Sequence, residues 1–216
     1  MTLATHTAAA GAYRALAPIV LASNSPRRRD LLGSLGLDFE VCPSNAPEPP
    51  PAPGEAPEDY ARRMAHMKTM DVAVLYPESV VLGADTIVVL PGAGGSASGA
   101  TVLGKPTDNA DALAMLTSLS GRAHKVITGC CLVLPGMAEP TRLAVTTEVT
   151  MRASTTAELA AYIATGEPHD KAGAYAIQGL GAFLVTEVRG SNTNVVGLPV
   201  AEICQLLLHA GAMAAR

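Results

Sequence analysis

The chain has 216 residues, of which 49% are hydrophobic and 16% charged, and its formal net charge is −4. This composition is sufficient to bury a sizeable core, so disorder of the chain as a whole is excluded. A mildly acidic chain with 3% aromatic residues lacks the clustered basic surface of a general nucleic-acid binder. A small anionic ligand is compatible with the same composition.

The cysteines and the N-terminus indicate the compartment. Cys42, Cys130, Cys131 and Cys204 form no Cys-x-x-Cys motif and have no histidine at metal-ligand spacing, which favours buried free thiols in a reducing environment. The first residues lack the charged start and continuous apolar core of a signal peptide, and no segment approaches the roughly 20 apolar residues of a membrane span. The sequence therefore predicts a cytoplasmic protein with neither membrane nor nucleic acid as a partner, whose residues 1–16 form a flexible extension.

The opening elements alternate between strand and helix. Residues 17–22 form a short apolar, β-branched run that is typical of a buried strand. Ser25 and Pro26 then supply an N-cap and a proline at the first helical position. A second strand is predicted over 39–43, and the proline-rich stretch 44–58 is predicted to be an exposed loop.

The remaining elements continue this alternation, with antiparallel pairs expected in the middle of the chain. Thr155 and Glu158 form a capping box that begins a helix. Such interleaving predicts the mixed α/β class. In chain order we predict a helix from Pro57 to about Tyr76, a strand over 79–90, a flexible hairpin connection over 91–104, a helix over about 108–120, strands over 123–134 and 141–153, a helix to Thr165, a glycine-dense loop over 171–182, a strand over 183–188, a turn at 191–194 and a closing helix over 199–209.

One carboxylate interrupts the most strand-like segment. Asp85 lies within "VVLGADTIVVL", where a buried carboxylate must be hydrogen-bonded, paired with a cation or bound to a metal. Odd polar residues in buried strands often mark functional sites, so Asp85 is the first catalytic candidate. The alternative is a strand-end aspartate that only accepts hydrogen bonds from backbone N–H groups.

A near match to a phosphate-binding loop follows. Residues 99–106, "GATVLGKP", have proline where the P-loop motif requires a hydroxyl residue, and proline also lacks a backbone N–H. A Walker site is therefore excluded. Lys105, held between glycine and proline, stays a candidate phosphate ligand, with an ordinary solvent-exposed turn lysine as the alternative.

Two further groups of residues are candidate ligand contacts. Ser23, Ser25, Arg27 and Arg28 crowd the start of the first helix, where cations disfavour the helix itself, and this favours a bound anion over a solvated face. Gln178 lies in the glycine-dense loop, and its amide offers both a donor and an acceptor to a base edge. Taken alone, this second signal is weak.

Several motifs, in this order along nearly the whole chain, resemble the Maf family of nucleoside triphosphate pyrophosphatases. They are "LASNSPRRRDLL", "GADTIVVL", "LGKP", "LSGRAHKVITG", "GEPHDKAGAYAIQG" and "NVVGLP". The resemblance implies a mixed, partly antiparallel twisted sheet flanked by helices, with two lobes around a central nucleotide cleft, as in inosine triphosphatase. It also implies a single domain over 17–210 and a homodimer.

The resemblance assigns roles residue by residue. It implies that Ser23, Ser25 and Arg28 hold the triphosphate, that Lys68 and Lys105 point toward the phosphates, and that Asp85 is the general base. It further implies a divalent cation, Mg²⁺ or Mn²⁺, on Asp85 and Glu48, although family members usually carry an acidic pair where this chain has Glu48 alone. Lys105 is counted with Asp85 among the catalytic residues.

Three residues resemble the branch of the family that acts on pyrimidine nucleotides. These are Arg27 after Ser-Pro, Thr86 after the aspartate and Gln178 in Ile-Gln-Gly; the Ser-Pro-Trp and Ser-Asp-Gln of the branch linked to methylated GTP are absent. The resemblance therefore implies hydrolysis of dTTP and UTP to the nucleoside monophosphate and pyrophosphate. The candidate physiological roles are sanitation of the nucleotide pool and restraint of cell division at the stage of septum formation. Alternatives are a nucleotide-sensing, division-regulating binding protein with vestigial catalysis, and an acyl- or phosphoryl-transferring enzyme without nucleotide specificity.

Overall fold

A computed structural model describes residues 4–6, 11–92, 99–137 and 139–216 of the chain. The chain divides into two compact units. Unit 1 comprises Met1–Asp85, Thr128–Val145 and Gly197–Arg216, and unit 2 comprises Thr86–Ile127 and Thr146–Val196. Among the residues so described, no helix is both long enough and apolar enough to cross a membrane.

Helices and strands alternate as the mixed α/β class requires. They are, in chain order, β1 (Ala4–His6), β2 (Tyr13–Ala15), β3 (Ile19–Leu21), α1 (Pro26–Gly33), β4 (Phe39–Val41), α2 (Pro57–Ala73), β5 (Val80–Leu90), β6 (Thr101–Leu103), α3 (Asn109–Leu119), β7 (Ala123–Val133), β8 (Thr141–Met151), α4 (Thr156–Ala164), β9 (Val185–Arg189), α5 (Asn192–Val196), α6 (Val200–His209) and β10 (Met213–Ala215).

The main sheet is mixed, as predicted. Its strand order is β1-β4-β3-β5-β7-β8-β9, with β6 paired to β5, and β2 and β10 form a separate two-stranded ribbon. Strand β3 pairs in parallel with both β4 and β5, whereas β5–β6 and β8–β9 are antiparallel. The predicted partly antiparallel sheet flanked by helices is therefore confirmed.

In unit 1 both faces of the parallel strands are buried. Along β3, Ile19 and Leu21 pack into one apolar cluster, while Val20 packs into a second cluster with Val72 of α2. Strands buried on both faces are apolar without alternation, which is why residues 17–22 carry an unbroken apolar run. Ser25 caps α1 through its side chain, which accepts from the backbone N–H of Arg28, and Pro26 follows it, so the predicted helix start is confirmed.

Two glycines let α2 lie close to the strands of unit 1. A Cβ atom at Gly83 of β5 would lie 2.2 Å from Oγ1 of Thr69. One at Gly129 of β7 would lie 2.1 Å from the carbonyl oxygen of Ala61. Because any side chain at these positions would push the helix away, the two glycines fix the distance of α2 from β7 and from β5, the strand that carries Asp85.

Unit 2 has a core of its own. Leu116 and Leu119 of α3 pack with Leu159 and Ile163 of α4 in one buried cluster. Helix α4 begins with the predicted capping box, which is confirmed: the side chain of Thr155 accepts from the backbone N–H at Glu158, and the Glu158 side chain accepts from the Thr155 N–H.

We expect Thr155→Ala to lower the free energy of unfolding by about 1 kcal/mol, because it leaves an N–H of the first turn of α4 without its acceptor. Urea unfolding followed by circular dichroism measures the change. Thr156→Ala, at the exposed next position, is the matched control and should leave stability nearly unchanged. Equal losses in both variants would contradict the capping role.

The structure differs from four predictions of local structure. Of the extension predicted over 1–16, residues 1–3 and 7–10 lie outside the described part of the chain, and Ala4–His6 and Tyr13–Ala15 are strands, because β4 and β10, remote in sequence, supply their hydrogen-bond partners. The segment Leu180–Leu184 is a 3₁₀ turn, so the strand predicted from 183 begins only at Val185. In the turn predicted at 191–194, residues 192–194 belong to helix α5. The connection over 91–104, of which residues 93–98 lie outside the described part of the chain, contains β6.

Candidate active site

The loops that follow β3 and β4 lie at one end of the parallel strands of unit 1, beside the part of β5 that carries Asp85. Leu21 of β3 lies opposite Leu82 of β5 and Val41 of β4. The chain leaves β3 toward Ser23 and leaves β4 toward the proline-rich loop, and β5 passes through Asp85 just beyond its pairing with β3. Carboxyl ends of parallel strands are where α/β proteins bind ligands.

Lys68 links two carboxylates at this edge. Its Nζ lies 2.6 Å from Oδ1 of Asp85 and 2.8 Å from Oε1 of Glu48. The Asp85 side chain is 12% exposed and that of Lys68 is 16% exposed, whereas Glu48 is 57% exposed. Asp85 is therefore the buried partner of a cation, which is one of the roles predicted for it, and Glu48 closes the group from the solvent side.

The two carboxylates determine the charge of Lys68. Burial disfavours an ammonium group, but the charges and hydrogen bonds of Asp85 and Glu48 outweigh burial and raise the pKa of Lys68 above its usual value. Lys68 therefore carries a full positive charge at neutral pH, and it holds the Asp85 carboxylate in a single orientation. The predicted Glu48, Lys68 and Asp85 thus form one ion cluster.

Arg28 is held by fixed partners rather than extended into solvent. Its Nε donates to the carbonyl oxygen of Gly197 at 2.8 Å, and Nη1 donates to Oγ of Ser23 at 3.2 Å. Burial lowers the pKa of Arg28, while the nearby charge of Asp85 opposes this shift. The guanidinium therefore lies close to the ion cluster, and a solvated helix face does not describe it.

The serines form the turn that precedes α1. Ser23 is buried, and its Oγ accepts from the backbone N–H of Ser25 at 3.2 Å as well as from Arg28. Ser25 caps the helix. Arg27 lies in the first turn of α1, is partly exposed, and its charge acts on Arg28. This arrangement gathers hydroxyls, a helix N-terminus and guanidinium groups, a combination that suits phosphate oxygens.

Two contacts that the sequence did not reveal hold the proline-rich loop against α2. Asp71 accepts hydrogen bonds from the Ser44 hydroxyl and the Asn45 N–H, both at 2.8 Å. Further along the loop, Arg63 donates two 2.7 Å bonds to the carboxylate of Glu55. These contacts lie on either side of Glu48 in the chain and fix the loop that brings it to Lys68.

These residues gave no usable signal in the sequence. Polar residues on an exposed helix face are usually solvated, and the path of a loop rich in proline does not follow from propensity. Tyr60 is another residue that sequence reasoning missed. Burial and the charges of Asp85 and Glu48 raise its pKa, so its ring lies near the ion cluster, and Arg63 lies over that ring at 5.3 Å from its centroid.

Unit 2 carries the other three predicted residues. Lys105 is exposed, between Gly104, whose carbonyl accepts from the Gly173 N–H at 2.9 Å, and the buried Pro106. Its backbone is therefore held on both sides. Thr86 directly follows Asp85 in β5 and is partly buried.

Gln178 lies in the glycine-dense loop of unit 2. Its side chain is exposed, in a bend between the 3₁₀ turns Ala172–Ala174 and Leu180–Leu184. The backbone on either side of it is anchored, as described below for Tyr162 and Glu167.

The connection between β5 and β6 should be dispensable for catalysis. Leu90 lies opposite Thr101 in this antiparallel pair, so a short turn can join them, and the free energy of closing a loop changes only slightly with its length. We expect replacement of residues 92–100 by Asn-Gly to leave kcat/KM and Tm nearly unchanged. Residues 93–98 lie outside the described part of the chain. A large fall in kcat at constant Tm would instead assign the near P-loop a phosphate role.

The carboxylates fit a divalent cation that arrives with a polyphosphate. In the described part of the chain, no group of three or more His, Cys, Asp or Glu side chains could hold a metal by itself. Mg²⁺ at nucleotide sites is typically held by one or two carboxylates together with substrate phosphates. Asp85 and Glu48 converge on one cationic atom, Nζ of Lys68, and so can both face a cation at that edge.

A parallel-strand edge, a serine turn at a helix N-terminus and a cluster of charged side chains are typical of α/β proteins that bind phosphate groups. The chain belongs to the Maf family: the family model described as "Maf-like protein" matches residues 18–210. The resemblance inferred from the motifs is thereby confirmed, and the matched range lies within the predicted domain over 17–210.

Curated relatives align along most of the chain. A dTTP/UTP pyrophosphatase of Oleidesulfovibrio alaskensis is 48% identical over 93% of this chain and 89% of its own length. Proteins of the same name from Nitratidesulfovibrio vulgaris and Geobacter sulfurreducens are 49% and 47% identical, over 94% and 90% of this chain and 92% and 97% of their own lengths.

Proposed function

We propose that this protein is a nucleoside triphosphate pyrophosphatase that hydrolyses dTTP and UTP to the nucleoside monophosphate and pyrophosphate. The observation that carries the proposal is the ion cluster of Asp85, Lys68 and Glu48 beside Arg28 and the serine turn of unit 1. The names of its relatives supply the nucleotides and the products.

Binding of the triphosphate is assigned to the cationic groups and the serine turn. The guanidinium of Arg28, positioned by Gly197 and Ser23, supplies a fixed positive charge for phosphate oxygens. Ser23 and Ser25 contribute hydroxyls at the N-terminus of α1, where the helix dipole favours negative charge. Lys68, and Lys105 in unit 2, supply further positive charge to offset the charge that develops on the leaving pyrophosphate.

Asp85 is proposed as the general base. The water oxygen forms a bond to the α-phosphorus, and the bond from that phosphorus to the α–β bridging oxygen breaks with its electron pair on the leaving pyrophosphate. The water proton passes to Asp85. The 2.6 Å bond from Lys68 holds the carboxylate in one orientation for this transfer.

A divalent cation, Mg²⁺ or Mn²⁺, on Asp85 and Glu48 would polarise the phosphates when bound. We expect Glu48→Gln to raise the Mg²⁺ concentration needed for half-maximal activity at least about tenfold, the scale on which groups around a metal change its affinity. A Mg²⁺ titration of pyrophosphate release measures this. Glu78→Gln, at an exposed position of unit 1, is the control. An unchanged Mg²⁺ requirement in Glu48→Gln would remove Glu48 from the metal site.

Base selection is assigned to Arg27, Thr86 and Gln178. A glutamine amide can pair one donor and one acceptor with the edge of a pyrimidine base, and a purine would leave these groups unmatched.

The compartment proposed for the protein is the cytoplasm. Its reducing environment suits the four cysteines, which are all free thiols.

The proposed function is tested by pyrophosphate release from dTTP, UTP, ATP, GTP and 7-methyl-GTP, with and without Mg²⁺. We expect the highest kcat/KM with dTTP and UTP. A preference for GTP or 7-methyl-GTP would refute the assignment of base specificity, but the assignment as a nucleoside triphosphate pyrophosphatase would stand. Tight binding of nucleotides without turnover would instead favour a nucleotide-sensing protein.

A further inference from the structure

The loop that carries Gln178 is anchored on both sides of that residue by one pair of side chains. Before Gln178, the N–H of Ala176 donates to Oη of Tyr162 at 3.2 Å. After it, the N–H groups of Leu180 and Gly181 donate to the two carboxylate oxygens of Glu167, at 2.9 and 2.8 Å. The phenol of Tyr162 itself donates to Glu167 at 2.8 Å.

The backbone approaches this pair as closely as glycine allows. A Cβ at Gly179, where φ is +103°, would lie 2.3 Å from Oε1 of Glu167, and one at Gly181 would lie 2.4 Å from Oη of Tyr162. Tyr162 is only 3% exposed and belongs to the core of unit 2. The glycines of "IQGLG" therefore allow the loop to close around a rigid polar anchor.

The anchor is charged at neutral pH. Burial favours the neutral form of Glu167, but hydrogen bonds from Leu180, Tyr162 and Gly181, together with the charge of Lys171, outweigh burial and lower its pKa. Hydrogen bonds to an ionised carboxylate are roughly twice as strong as those between neutral groups. The N–H groups of Leu180 and Gly181, two and three residues after Gln178, are bound in this way.

We propose that Tyr162 and Glu167 are positioning residues for nucleotide selectivity: they fix the backbone of 176–181 so that Gln178 presents its amide in one geometry. This inference rests on the proposed function, because it takes Gln178 as the residue that meets the base. The side chain of Gln178 is exposed, so its placement depends on the backbone that carries it. A loosened backbone lets the Gln178 amide turn, and this lowers the free-energy penalty for binding a nucleotide with a purine base.

The test compares dTTP with GTP in Glu167→Gln and in the conservative variant Tyr162→Phe. We expect each variant to lower the ratio of kcat/KM for dTTP to that for GTP by about threefold to tenfold, the effect of one weakened hydrogen bond, with a smaller change in kcat for dTTP. In a Gln178→Ala background the same substitutions should leave the ratio unchanged. Glu158→Ala, which breaks the capping box of the same helix, is the control: it should lower Tm without changing the ratio.

The possible outcomes distinguish a failure of the proposed base specificity from a failure of the positioning role. A wild-type protein without preference for dTTP overturns the base specificity of the proposed function, and the positioning role with it. A wild-type protein with the preference, and a ratio unchanged in a folded Tyr162→Phe and Glu167→Gln, overturns the positioning role alone. A ratio that falls by the same factor in the Gln178→Ala background also overturns it, because the anchor would then act without Gln178.

Discussion

Replacing Asp85 with asparagine should reduce kcat for dTTP at least about 100-fold, the usual scale for the loss of a general base. The amide keeps the shape of the side chain but cannot take the proton of water. It also removes one of the two carboxylates proposed to hold the divalent cation. It also takes from Lys68 its closer carboxylate partner, at 2.6 Å. Pyrophosphate release at saturating dTTP and Mg²⁺ measures the loss.

Controls separate the chemistry from the fold. Asp30→Asn, an exposed aspartate of α1, should retain wild-type turnover. Thermal unfolding of Asp85→Asn should show one cooperative transition, because the substitution leaves the apolar clusters of unit 1 intact. Near wild-type hydrolysis by a folded Asp85→Asn protein would make Asp85 a structural partner of Lys68 and refute the mechanism.

The second large effect concerns the base. We expect Gln178→Ala to lower the preference for dTTP over GTP by about tenfold to a hundredfold. The Gln178 amide is exposed in the free protein, and a bound purine would bury it without a partner, at a cost of about 1 to 3 kcal/mol that the variant no longer imposes. The best rate, with dTTP, should fall less than the preference does. Kinetics with both nucleotides on the wild-type and variant proteins measure the two quantities separately.

Gln205→Ala, at a glutamine of α6 in unit 1, is the matched control and should keep the wild-type preference. If Gln178→Ala lowers both rates by one common factor, the residue contributes to binding or folding but not to base choice. Arg27 and Thr86 would then be left as the candidates for selectivity.

Strong local signals were sufficient for much of the fold. The Ser25-Pro26 start of α1, the capping box at Thr155 and the apolar run of β5 each act within a few residues, and each was predicted correctly. Strands β2 and β10 were missed because each is three residues long and pairs with a segment at the other end of the chain. No local pattern encodes such a pairing.

The residues of the candidate site likewise differ in whether a local sequence signal reveals them. Asp85 is conspicuous in sequence because a carboxylate in an apolar strand requires a partner. Its partner, Lys68, was identified only through the resemblance to the Maf family, since one lysine on an amphipathic helix is ordinarily solvated. The anchors at Asp71, Arg63 and Glu167 depend on how loops fold back onto helices, and neither spacing nor propensity predicts such contacts.

The central claim is hydrolysis of a pyrimidine nucleoside triphosphate between its α- and β-phosphates. It is tested most directly by separating the products of dTTP after incubation with the protein and Mg²⁺, and quantifying nucleotide and phosphate species by anion-exchange chromatography. The account predicts dTMP and pyrophosphate in equal amounts, and, over the same incubation, at least about 100-fold less of both with Asp85→Asn. Formation of dTDP and inorganic phosphate, or no product from dTTP, would contradict it.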